Sequence, residues 1–135
     1  KLSDDEFAIM KTHPALGGEV LATAESSLPA PSRFLHIGRD IATGHHEKWD
    51  GSGYPAGLKG EAIPVSARLM AVADVYDALI SHRVYKKAFS HEEAVAVIAE
   101  GRGTHFDPDA IDAFLAIQDV FRQIAGAYSD APENA

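Results

Sequence analysis

Cysteine is absent from this chain of 135 residues, which excludes disulfides and thiolate metal sites and leaves His, Asp and Glu as the side chains able to hold a metal. Such ligands favour iron, manganese or zinc in a mixed nitrogen and oxygen shell. No apolar run approaches the roughly 18 residues of a membrane-spanning helix, so no membrane contact by this segment is expected. No basic stretch leads into an apolar core at the start, so no signal peptide is expected there. Together with the lack of cysteine, this suits a cytoplasmic setting. Cations are scarce: the formal charge is -8, and without a Lys/Arg cluster the chain lacks a footprint for the phosphates of duplex DNA or RNA. A small anionic ligand stays compatible, because a few local cations and metal ions outweigh the net charge. Sustained alternation of apolar and polar residues is also missing, which argues against half-buried strands. What remains, with 46% hydrophobic residues, is an all-α chain long enough for one domain around one core.

The helix signals are local. Ser3-Asp4-Asp5-Glu6 reads as a capping box that opens a first helix carrying Phe7, Ile9 and Met10. Pro14 fits the first turn of a second helix, with Leu16, Val20 and Leu21 as a buried stripe and Gly17-Gly18 permitting close packing. A loop over 26–32 precedes a third helix from Arg33, where Phe34, Ile37 and Ile41 repeat at helical spacing. Residues 49–61 hold Gly51, Gly53, Gly57 and Gly60, too many glycines for regular structure. Pro64 restarts a helix with Val65, Leu69, Val72, Tyr76 and Leu79 on one face. Ser90-His91-Glu92-Glu93 is a second capping box, for a helix that stops at Gly101. Asp107-Pro108 opens the last helix, with Ile111, Phe114, Leu115 and Ile117 as its packing face. The expected domain spans 1–125, and 126–135 reads as a frayed tail.

The densest chemistry lies in His45-His46-Glu47-Lys48-Trp49-Asp50-Gly51-Ser52-Gly53-Tyr54-Pro55. Neutral imidazole is the commonest protein ligand for a transition metal. Successive helical residues point about 100° apart, so adjacent imidazoles at a helix end are expected to diverge and to serve one each of two neighbouring ions, the geometry of two-metal hydrolysis. An isolated His-His pair is more often two solvated side chains. The long loop that follows favours the metal reading, since loops of that kind are usually functional. His13, His45, His46 and Asp74 recur at helix ends and inner faces as candidate ligands. Asp74 lies in the apolar stretch 71–79, where a carboxylate is costly to bury unless it is paired or bound to metal. A salt bridge from Asp74 or Asp77 to Arg68 or Arg83 is the competing reading.

At these residues the chain resembles the HD-GYP domains, a bacterial subgroup of the HD phosphohydrolase superfamily. Gly53-Tyr54-Pro55 matches the signature, and similar blocks surround Lys11-Thr12-His13-Pro14, residues 57–64, residues 73–79, Arg83-Val84-Tyr85-Lys86 and residues 103–108. The resemblance implies an HD-like helical bundle with a long Gly-Tyr-Pro loop built on Asp50, Gly51, Gly53, Tyr54 and Pro55. It implies hydrolysis of the bacterial second messenger cyclic di-GMP to pGpG or GMP, at two or three divalent ions, iron or manganese. It makes His13, His45, His46 and Asp74 metal ligands, and Arg83 and Lys86 the cations that hold phosphate. Trp49 and Tyr54 read as guanine-stacking rings or, equally, as loop anchors. His36 reads as packed or partly exposed, His82 and His91 as solvated or capping, and His105 as part of a backbone-ordering turn.

The sequence departs from the pattern in one respect: no histidine in it is followed by Asp, so the family's His-Asp dyad is absent, along with the helical ligand before it and the Lys after it. The catalytic residues tied to that dyad are therefore unknown from this chain. It is expected to be a fragment of a longer HD-GYP protein, truncated on its N-terminal side, holding metal poorly by itself, exposing core residues and self-associating, homodimers included. The alternative is a degenerate module that docks a GGDEF domain through its loop. A nucleotide phosphohydrolase of another HD branch is disfavoured by the matched loop.

Overall fold

Helices supply all the regular structure that the computed structural model describes, over residues 2–81 and 87–128. They are α1 (Asp4–Met10), α2 (His13–Ser26), α3 (Arg33–Gly44), α4 (Val65–Ile80), α5 (His91–Glu100) and α6 (Pro108–Tyr128), with one 3-10 turn at Gly60–Ala62. No strand occurs among the described residues, in keeping with the all-α expectation. Both capping boxes form: the Ser3 and Ser90 hydroxyls accept from the amides of Glu6 and Glu93, whose carboxylates return to the amides of Ser3 and Ser90. Ser32 caps α3 through the amide of Leu35.

The helices pack in series: α2 on α3, α3 on α4, and α4, α5 and α6 against one another. Close approach explains the small residues. A Cβ on Gly18 would lie 2.4 Å from the Thr43 methyl, so α2 and α3 meet at a contact only glycine allows. The core lies at the far end, where Ala71, Val72, Tyr76, Ala94, Ile98, Phe106, Ala110, Ile111 and Phe114 form one cluster. Tyr76, Phe114 and Phe121 meet edge to face.

Several expected stripes are only partly buried. Leu16, Val20, Phe34, Val65 and Leu69 are exposed; of the expected α4 face Val72 and Tyr76 are buried, and Ala67 and Ala71 are buried beside them. Ile117 is exposed because its backbone (φ -119, ψ 15) leaves helical geometry, so the packing face of α6 rotates at that point. The last helix also continues past Gly126 to Tyr128, beyond the expected onset of fraying; residues 129–135 lie outside the described range. His91 is neither solvated nor a cap: its Nδ1 stands 2.8 Å from the Tyr76 hydroxyl at the edge of the core.

A buried ion pair joins two helix starts. Arg68 donates to Asp107 at 2.7 Å and, through Nε, to the carbonyl of Ile63 at 2.9 Å. Asp107 also accepts the amide of Asp109, as expected of the residue capping α6.

Candidate metal centre

Two helix boundaries bring three imidazoles together. His13 opens α2, with Nδ1 2.6 Å from the carbonyl of Met10. His45 follows the last residue of α3, with Nδ1 2.8 Å from the carbonyl of Ile41. A carbonyl only accepts, so both Nδ1 atoms donate and, in the neutral rings, both Nε2 atoms present lone pairs. The Nε2 atoms of His46 and His13 are 3.1 Å apart. One ligand atom from each of His13, His45 and His46 lies within 4.8 Å of the others. Nitrogens bound to one ion at roughly 2.0–2.1 Å stand about 3 Å from each other, so the His13–His46 pair already has the spacing of a shared ion of a kind that imidazole favours, zinc or iron among them, with His45 beside it.

The expected divergence of His45 and His46 is not observed, their ring centroids being 4.0 Å apart. Helix α3 ends at Gly44 and the chain turns there, so the angular step of a continuous helix does not carry through to His46. Asp74 stands outside the three-imidazole group. It is exposed on α4, and its charge is felt at His46 and Tyr54, where it opposes deprotonation. No bridge from Asp74 or Asp77 reaches Arg68, whose partner is Asp107. His82, Arg83 and Lys86 lie outside the described residues. His36 is exposed, 3.5 Å from Asp40.

The glycine-rich loop folds back over the end of α3. Tyr54 donates its amide to the carbonyl of His46 at 3.2 Å, and its ring stacks on the His46 imidazole with centroids 4.9 Å apart at 23°. Phe7 meets the same tyrosine edge to face, and the Lys11 ammonium sits over both rings. Gly53 is required by contact: a Cβ there would fall 2.4 Å from the amide nitrogen of Lys48 and 2.5 Å from the carbonyl of His46. The loop's other limb hangs on the turn before α6, with Trp49 and Asp50 donating to the carbonyls of His105 and Thr104. Trp49 also lies beneath the Arg68 guanidinium. Both Trp49 and Tyr54 thus anchor the loop.

Sequence reasoning gave no role to Glu47, which is 2% exposed. Its two carboxylate oxygens accept the amides of Ala56 at 2.7 Å and Leu58 at 3.0 Å. A buried amide must find an acceptor, and a loop without regular structure has many to satisfy. A carboxylate at its root was the available signal.

Burial holds the His46 imidazole below its ordinary pKa, and the neighbouring His45 and His13 push the same way. His105, half-buried with its ring flat against Phe106, is lowered by burial and then by Lys48. A base whose folded pKa lies below its unfolded value of about 6.5 stabilises the fold above that pH, and the contribution is lost as pH falls through the folded value. The metal-free chain is therefore expected to lose stability as pH falls below about 6.5. His105→Gln should flatten that dependence in urea denaturation, and an unchanged slope would count against the assignment.

Comparison with known proteins comes out in one direction. A model of the HD domain family matches residues 1–110. A cyclic di-GMP phosphodiesterase of Vibrio cholerae is 60% identical over 97% of this chain and 26% of its own length. The cyclic di-GMP phosphodiesterase response regulator RpfG of Xanthomonas campestris is 47% identical over 97% of the chain and 33% of its own length. A 3'3'-cGAMP-specific phosphodiesterase of Vibrio cholerae is 38% identical over 96% of the chain and 24% of its own length. The chain thus spans about a quarter to a third of the curated relatives it matches.

Proposed function

Starting from a chain that belongs to the HD domain family, we propose that it supplies part of the metal centre of a phosphodiesterase hydrolysing cyclic di-GMP in bacterial second-messenger signalling. The convergence of His13, His45 and His46 carries this reading. These three would hold a divalent ion, iron or manganese, and Asp74 would approach it from α4. When bound, such an ion polarises a phosphodiester and lowers the pKa of bound water. The chain's own part is to fix the imidazole tautomers through the Met10 and Ile41 carbonyls and to keep His46 neutral by burial. Arg83 offers a planar fork to phosphate oxygens and Lys86 a point charge, which suits an anionic dinucleotide.

Protein carrying this chain at the full length of the relatives, supplied with manganese or iron(II), is expected to turn cyclic di-GMP into pGpG or GMP. Folded protein without turnover across those metals overturns the reading. Hydrolysis of 3'3'-cGAMP in preference to cyclic di-GMP would move the substrate to the other cyclic dinucleotide. The exposed Pro55, Ala56 and Gly57 at the loop's tip support a second reading, docking of a GGDEF domain, which loss of pull-down on changing the tip would test.

A further inference from the structure

The three imidazoles are not supported alike. His13 and His45 each direct Nδ1 at a backbone carbonyl, the usual way a metal-binding histidine is oriented from behind. Among the described residues no hydrogen bond reaches Nδ1 of His46. Its ring is placed by the contact with His13 and by the face of Tyr54.

Tyr54 in turn is seated by the returning limb of the loop. That limb is drawn onto the backbone at 46–48 by the Glu47 carboxylate, which spans 9 residues to the amide of Ala56 and 11 to that of Leu58. Gly53 permits the approach, and the amide of Tyr54 completes it on the carbonyl of His46. No cation pairs with Glu47 among the described residues; the two amides are what compensate its burial.

From this chain of contacts we infer that Glu47 is a positioning residue for the metal centre: by clamping the Gly-Tyr-Pro loop it presses Tyr54 onto His46 and sets the one imidazole that lacks a carbonyl behind it. The inference deepens the metal reading above and rests on it, yet it makes no use of the dinucleotide. In Glu47→Gln an amide NH2 replaces one acceptor oxygen and meets a backbone N–H, so one half of the clamp becomes a repulsion. The loop limb then loosens, and His46 loses its fixed orientation.

Titration of metal-free protein carrying this chain at the full length of the relatives with cobalt(II), followed by the visible spectrum of the ion, tests this directly. Removing the support behind a ligand typically costs about 10- to 100-fold in metal affinity, and Glu47→Gln is expected to lose affinity in that range. Trp49, the only tryptophan of this chain, lies in the same loop, and its emission is expected to shift. Tyr54→Leu removes the stacking ring without touching the carboxylate and should lose affinity similarly, which keeps the test decisive if the glutamate variant folds poorly. Glu61→Gln makes the same charge change at an exposed position outside the clamp and should bind as wild type does. Wild-type affinity in both Glu47→Gln and Tyr54→Leu overturns the positioning role alone. Wild-type protein of that length that takes up no cobalt overturns the metal reading together with it.

Discussion

Alanine in place of His13, His45 or His46 is expected to lower metal-dependent hydrolysis of cyclic di-GMP by about a thousandfold or more in protein carrying this chain. A bound ion contributes several kcal/mol of charge stabilisation in the transition state, and each 1.4 kcal/mol is about tenfold in rate. The three side chains stand at helix boundaries rather than in the core cluster, so helicity by circular dichroism should be retained. Steady-state rates across a manganese titration are the measurement, with exposed His36→Ala as control. A loss below tenfold at saturating metal for all three would remove the cluster from the chemistry.

The largest effect on stability is expected from Asp107→Ala. It leaves the Arg68 guanidinium, whose side chain is 16% exposed, without its carboxylate, and it uncaps α6. Breaking a buried pair from one side costs about 3–5 kcal/mol, a large share of the roughly 5–15 kcal/mol that holds a domain folded. Urea denaturation reads the change, and Trp49 beneath the guanidinium should report it by emission. Pairing Asp107→Ala with Arg68→Met should recover part of the loss, because the buried charge goes with its partner. A cost below about 1 kcal/mol for the single change would show the pair to be effectively solvated.

Local signals were legible in the sequence wherever one segment decides the outcome. Ser3 and Ser90 cap the helices their neighbours announce, and Pro14 sits in the first turn of α2. Which stripe is buried depends on what packs against it, and that is not written locally. Val65 and Leu69 read as core by periodicity, yet Ala67 and Ala71 take those places because α3 approaches closely at Gly44. The histidines at 13, 45 and 46 could be named from residue type and from the family pattern. Their convergence does not follow from helical periodicity, because α3 stops at Gly44 before the pair. Glu47 stayed unseen for a related reason, since its partners are amides, which carry no residue type to read.

The pairing of His13 with His46 has one more consequence, in the topology of the chain. The two positions are 33 residues apart in sequence and are joined by α2, its loop and α3. An ion shared between them would close that segment into a ring, as a disulfide would, in a chain that has no cysteine. Closing a ring of this size removes roughly 3–4 kcal/mol of freedom from the unfolded ensemble in the chain-entropy picture. Cofactor and cross-link would then be the same object, and the α2–α3 hairpin that presents the three imidazoles would be the segment that a bound metal ties shut.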